Sequence, residues 1–215
     1  MEETVVYLIR RSEIMKKSNL NNLNNDENMQ SENERTLLSV KGEKKALDLS
    51  KNEELQNIDA VYSSSYLRAI STAKYIAANN GTIINVDNRL NERKVGNLTN
   101  YDINELHHMQ AKDFDFKLKG GESLNETKKR MIEAMKSILM FETGNRVALI
   151  SHSTALTCLL SAWCEEGYNY DGDIILSFND ETLVDGKWDA PSVYKVIFDG
   201  MNVKSIEYLD LIDKK

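Results

Sequence analysis

Three places in this chain set a cationic side chain just beyond a short apolar run. Val5-Val6-Tyr7-Leu8-Ile9 leads into Arg10-Arg11-Ser12-Glu13, and Val147-Ala148-Leu149-Ile150 leads into Ser151-His152-Ser153. Val61-Tyr62-Ser63 passes through Ser64-Ser65-Tyr66-Leu67 to Arg68. Apolar runs this short and this rich in β-branched residues read as buried strands. In an open α/β sheet, ligands bind beyond the carboxyl ends of the strands, where loops and helix N-termini present side chains and free N–H groups. Arg10, Arg68 and His152 are therefore candidates for one site. The chemistry that suits them is phosphate binding, which takes forked donors and neutralising charge. Taken singly, an arginine after a strand is ordinarily structural or solvated, and a lone histidine belongs to the core or the surface. The three at equivalent places are more specific.

The elements that must position these residues alternate between strand-like and helix-like, which predicts a layered α/β domain. Strands are expected over 4–9, 58–63, 83–86, 146–151, 193–198 and 203–208, and helices over 41–50, 66–79, 102–112, 123–141 and 153–164. Ser123-Leu124-Asn125-Glu126 is a capping box, and the stripe Leu124, Met131, Ala134, Met135, Ile138 and Leu139 that follows repeats at core-facing helical spacing. Residues 18–34 are asparagine- and acid-rich with almost no apolar content, and are expected to be a mobile polar insertion. The sole proline, Pro191, precedes a strand, where proline is tolerated. With no internal repeat and no second boundary, residues 1–215 read as one domain.

Composition narrows the partners. The net charge of −7 argues against nucleic acid and anionic membrane, yet a few arginines converging in a cleft can still hold a phosphorylated small molecule or phosphate. There is no apolar run of membrane-spanning length and no secretory signal, so a cytoplasmic location is expected. Cys158 and Cys164 lie six apart on one expected helix, cannot bridge within it, and read as small apolar residues. The acids do not cluster with histidines, so no metal is expected. The absence of a Gly-x-Gly-x-x-Gly or Gly-x-x-x-x-Gly-Lys-Ser/Thr loop counts against a nucleotide-binding α/β protein.

In their order along the chain, these segments resemble the histidine phosphatase superfamily, the phosphoglycerate mutase-like proteins, which open with Leu-Ile/Val-Arg-His-Gly-Glu. Leu8-Ile9-Arg10-Arg11-Ser12-Glu13 aligns with that opening, and Ser63-Ser64-Ser65-Tyr66-Leu67-Arg68-Ala69 is similar to Ser-Ser-x-Leu-x-Arg-Ala. Leu90-Asn91-Glu92-Arg93-Lys94-Val95-Gly96 resembles Leu-x-Glu-x-x-x-Gly, and Gly120-Gly121-Glu122-Ser123 resembles Gly-Gly-Glu-Ser. The resemblance implies a three-layer α/β/α fold, with a mostly parallel sheet and helices on both faces. It also implies that Arg10 and Arg68 clamp the phosphoryl group, that His152 stabilises its charge, and that Glu92 protonates the leaving oxygen and later activates water. No cofactor is implied. Residues 93–120 would cover the pocket and set specificity; the stretch 165–192 would add a wall or pack as an exposed loop.

At the position of the nucleophile, a histidine that becomes phosphorylated, this chain has Arg11. Guanidinium is always protonated and has no lone pair to offer phosphorus. His107 and His108, on a polar helix, offer no substitute. Ser12 stands where glycine is usual, narrowing the approach to phosphate while offering a hydroxyl to it, and Ile14-Met15-Lys16-Lys17 lacks the Ser/Thr-x-x-Asn continuation of the mutases. Two readings follow. One is a phosphomonoesterase scaffold, inactive or nearly so as written. The other is a pseudophosphatase that binds a phosphorylated ligand or partner in a regulatory role.

Overall fold

The computed structural model describes residues 2–15, 26–99, 101–169 and 173–212. In chain order the elements are β1 (Glu3–Arg10), α1 (Asp26–Arg35), α2 (Val40–Ser50), β2 (Ala60–Ser63), α3 (Leu67–Asn79), β3 (Ile84–Val86), α4 (Ile103–Lys112), α5 (Leu124–Phe141), β4 (Arg146–Ser151) and α6 (Ser153–Leu160). After these come β5 (Glu165–Tyr168), β6 (Ile174–Phe178), β7 (Glu181–Asp185), β8 (Ser192–Asp199) and β9 (Asn202–Leu209).

The central sheet has the order β3-β2-β4-β1-β8-β9. β3, β2, β4 and β1 run parallel, while β8 and β9 extend the sheet antiparallel beyond β1. β1 and β4 are apolar through their middles, Val5–Ile9 and Val147–Ile150, because both faces of the sheet are covered there. Their side chains alternate between two cores: Val6, Leu8, Val147 and Leu149 face α5 and α6, while Tyr7, Ile9, Ala148 and Ile150 face α2 and α3. This is the α/β/α layering that the motif order implied. The Ser123 capping box forms as the sequence predicts, with Ser123 Oγ accepting from the Glu126 N–H and the Glu126 carboxylate accepting from the Ser123 N–H.

The differences from expectation have local causes. Residues 18–25 of the expected polar insertion lie outside the described residues, but Asp26–Arg35 form a helix instead of a loop. Helix propensity is high in Glu, Gln, Arg and Met, and contact with α3 substitutes for an apolar stripe. The helix expected over 153–164 stops at Leu160, so Cys164 lies beyond it; both thiols are free, Cys158 buried and Cys164 half-buried. The stretch 165–192 is mostly a three-stranded antiparallel sheet, β5-β6-β7, whose Leu176, Leu183 and Val184 join the larger core. Strands of four or five residues with mixed polarity carry too few periods for alternation to be read. Among the described residues, no helix is long and apolar enough to cross a membrane.

One contact locks the end of β1 to α2. Gly42, in the first turn of α2, packs so closely that an added Cβ would lie 2.0 Å from the Glu13 carbonyl oxygen, and the Gly42 carbonyl accepts the Ser12 hydroxyl at 2.7 Å. Gly42→Ala should therefore cost about 1–3 kcal/mol or more through overpacking against backbone. The check is a fall in the urea midpoint at unchanged slope, and an unchanged midpoint would show that α2 can move away freely.

Candidate active site

Four parallel strand ends deliver the candidate residues to one edge of the sheet. Register pairs Arg10 with Ser151 and Ser63 with Ile150, and the Arg11 N–H continues the β1–β4 ladder to the Ser151 carbonyl at 2.9 Å. β1 thus presents Arg10 and Arg11, β2 leads into Ser64 and α3 with Arg68, the turn after β3 brings Asn91 and Glu92, and β4 ends at His152. β8 runs antiparallel to β1 and begins at Ser192 opposite Arg10, and Trp188, four residues before that start, reaches the same end of the sheet. The Arg10 guanidinium donates through Nη1 to the Trp188 carbonyl.

The cations are crowded together. Arg68 is only 4% exposed, and Arg10 and Arg11 are half-buried. Burial pulls Arg10 and Arg68 below the ordinary arginine value, with the Glu92 charge opposing in both. Arg11 is brought down to about 10 by burial and then by repulsion from Arg10 and Arg68, so it remains charged at neutral pH. One donor of each is held by a backbone carbonyl: Arg10 by Trp188, Arg11 by Ser12 at 2.8 Å and Arg68 by Asn33 of α1. The buried Nε–H groups of all three have no protein partner. Buried guanidinium N–H groups ordinarily find acceptors. Three of them unmet, among like charges, describe a site shaped for an anion.

His152 is fully buried and caps α6, with its ring 5.1 Å from that of Tyr66; the Arg68 guanidinium lies 4.8 Å over the other ring system, that of Tyr66. Its Nε2 is 2.8 Å from Ser64 Oγ, and the Ser64 hydroxyl donates onward to Asn91 Oδ1 at 2.8 Å. With that hydrogen engaged, the network assigns Nε2 as the protonated nitrogen and leaves Nδ1 bare, buried and unpartnered. Burial, then the charges of Arg68, Arg11, Arg130 and Arg10, hold the imidazole well below its usual 6.5, so it is neutral.

Glu92 sits at the N-terminus of α6. Its Oε1 accepts from the N–H groups of Arg93 (2.9 Å) and Ala155 (3.0 Å), and its Oε2 from that of Thr154 (3.3 Å). It also lines a surface hollow of about 410 Å³ together with Ser65, Asn91 and Arg130. Arg130 of α5 holds the turn that carries it, donating at 2.7 Å to the carbonyls of both Arg89 and Asn91 while pairing with Glu122 at 2.8 Å. Glu122 also accepts the Lys94 N–H at 2.9 Å. Gly121 admits no side chain here, since a Cβ would lie 2.6 Å from the Val95 carbonyl oxygen. The Gly-Gly-Glu-Ser segment therefore braces the Glu92 turn without entering the site.

Ser12 departs from expectation. Its hydroxyl donates to Gly42 and its N–H to Thr72 Oγ1 at 3.0 Å, so both donors are engaged away from a phosphate. Ser12 fixes the loop. Arg93, which sequence reasoning left out, is 3% exposed with Nε and Nη1 unpartnered, and its only signal was adjacency to Glu92. Asn91 was missed as well. Its Oδ1 gathers the Ser64 hydroxyl and the Ser65 N–H and hydroxyl, joining two strand ends. His107 and His108 are exposed on α4.

The fold and the site define an α/β protein with a cation-lined cluster beyond the carboxyl ends of its parallel strands. Residues 6–176 match the family model of the histidine phosphatase superfamily (branch 1), and the chain belongs to that superfamily. It is 30% identical over 174 residues to the probable phosphoglycerate mutases GpmB of Salmonella choleraesuis and Salmonella newport, an alignment covering 74% of this chain and 77% of each relative. YhfR of Bacillus stearothermophilus has a similar structure (TM-score 0.65, 23% identity, 93% of this chain and 94% of that one). So does a mycobacterial glucosyl-3-phosphoglycerate phosphatase in complex with VO3 (TM-score 0.64, 18% identity, 95% and 96%). Phosphoglycerate mutase from Bacillus anthracis shares the fold too (TM-score 0.66, 15% identity, 97% and 93%).

A histidine depressed in the folded state leaves the unfolded chain holding more protons at that residue once the pH drops below about 6.5. The ligand-free protein should therefore lose stability from that point downward, by up to about 1.4 kcal/mol per pH unit from His152 alone. Urea midpoints at pH 7.5 and pH 5.5 test this. His152→Asn should show a smaller loss, and equal losses in the two proteins would clear His152 of the effect.

Proposed function

We propose that this protein binds the phosphate of a phosphorylated small molecule between Arg10, Arg11, Arg68 and His152, and that its phosphomonoesterase turnover is absent or nearly so. The observation that carries this reading is the set of three guanidiniums at one end of the sheet whose buried Nε–H groups are unmet. An incoming phosphate accepts several hydrogen bonds and screens three mutually repelling charges at once. Its negative charge would also favour protonation of His152, turning the bare Nδ1 into a further donor. Glu92, at the N-terminus of α6, would serve as the acid toward a leaving oxygen.

Turnover through a phosphoenzyme needs a nucleophile with an available lone pair. Arg11 holds the strand-end position after Arg10 and has none, so the cycle stops before its first bond forms. The same side chain adds a cation to the site, which favours the second reading, a pseudophosphatase that retains its ligand in a regulatory role. A cytoplasmic location belongs to the same proposal, supported by two thiols that remain free.

Arg11→His separates the two readings. With 4-nitrophenyl phosphate the unmodified protein should give negligible release, and the variant should exceed it by on the order of 10³-fold or more if the scaffold is that of an enzyme. Substantial and equal turnover by both proteins would remove residue 11 from the nucleophile position. A folded variant that gains nothing would assign the site to binding. Calorimetric titration with inorganic phosphate should show saturable binding that Arg68→Ala weakens about tenfold or more, since a charge-assisted pair is lost. Unchanged affinity would take Arg68 out of the site.

A further inference from the structure

The C-terminal end of α1 reaches into the cation cluster. Carbonyls in the last turn of a helix have no intrahelical partners, and the helix dipole gives that end a partial negative charge. Asn33 lies in this turn, and its carbonyl accepts from Nη1 of Arg68. One donor that would hold a phosphate is therefore already engaged by the chain. A second tie lies beside it. Gln30 donates through Nε2 to the Tyr66 hydroxyl at 2.8 Å and to Glu34 Oε1 at 2.9 Å. Tyr66 is 1% exposed, and its ring lies 4.8 Å from the Arg68 guanidinium and 5.1 Å from the His152 ring. Glu34 lines the same hollow as Glu92.

Little besides these polar ties favours the docked position. The sequence of α1, Asp-Glu-Asn-Met-Gln-Ser-Glu-Asn-Glu-Arg, has one large apolar residue and no apolar stripe, so its release exposes little surface that prefers burial. Its four acids against one arginine suit a place beside Arg10, Arg11 and Arg68. The segment that follows is anchored separately. The Met15 N–H donates to the Leu37 carbonyl and the Ser39 N–H to the Glu13 carbonyl, both at 3.0 Å. A released α1 thus stays tethered near Arg68, and a tethered competitor acts at an effective concentration on the order of mM.

We infer that α1 is an internal competitor for the anion site: its C-terminus stands in for a ligand oxygen at Arg68, and a bound phosphate releases it. Phosphate presents full charge where the Asn33 carbonyl presents a partial one, so it displaces the helix once concentrated enough. Its apparent affinity is lowered by the fraction of molecules in which α1 is docked. The site is thereby regulated by a segment that lies outside the strand ends that build it. This inference rests on the phosphate-binding reading above.

Ser31→Pro tests this, because a proline inside α1 removes a helix hydrogen bond and clashes with the preceding turn, while every residue of the anion site stays in place. Calorimetric titration with inorganic phosphate should show about tenfold tighter binding by the variant than by the unmodified protein, the ratio expected if α1 is docked in roughly nine molecules of ten. Hydrogen exchange reads the same event in the unmodified protein: amides of residues 30–35 should exchange about threefold faster or more at saturating phosphate than without it. Equal or weaker binding by Ser31→Pro, or slower or unchanged exchange of α1 with phosphate bound, would overturn the competitor while the phosphate site stands. Binding by neither protein would overturn the phosphate site, and the competitor with it. Binding by Ser31→Pro alone would support the competitor. The exchange measurement decides the question even if the variant does not fold.

Discussion

Three guanidiniums held together at one end of a sheet are the constraint around which this molecule is organised. Bringing like charges out of water and close to one another is unfavourable, and among the described residues Glu92 is the acid whose charge offsets it for all three arginines. The arrangement persists because backbone carbonyls from separate parts of the chain each take one donor: Trp188 before β8, Ser12 after β1 and Asn33 in α1. None of these carbonyls neutralises charge. What remains is a positive, partly dehydrated edge with donors unmet, the condition in which an anion binds most strongly for its size.

Holding that edge requires the turn after β3 to be rigid, and most of the polar architecture serves this. Asn91 ties the turn to the start of α3, Arg130 ties it to α5, and the Glu92 carboxylate ties it to the first turn of α6. Glu92 is thereby both the candidate acid and a helix cap. The N–H groups of Thr154 and Ala155 are donors that α6 leaves without intrahelical partners, and the positive end of its dipole favours the carboxylate there. A residue with two such attachments is held in place.

The motifs were legible because each lies within one short segment whose chemistry is local. The β-branched run of β1, the capping box of Ser123, and the histidine after β4 follow from residue type and spacing. The continuous apolar runs of β1 and β4 foretold burial on both faces. The small sheet of Glu165–Tyr168, Ile174–Phe178 and Glu181–Asp185 was not legible, because its strands are too short to show a period and are held by pairing with one another and by the core beneath. The helix Asp26–Arg35 was hidden for a related reason, since a polar composition without an apolar stripe looks the same in a loop.

By itself, the sequence determined the layered fold, the strand ends that lead into Arg10, Arg68 and His152, and the absence of a usable lone pair at Arg11. These are properties of covalent chemistry and local periodicity. Only the tertiary structure decided which donors remain unmet. It engaged Ser12 with Gly42 and Thr72, left Nε of three arginines and Nδ1 of His152 without partners, and buried Arg93. Such outcomes depend on hydrogen bonds between groups tens of residues apart, and one chain in isolation does not record which acceptor a donor will meet.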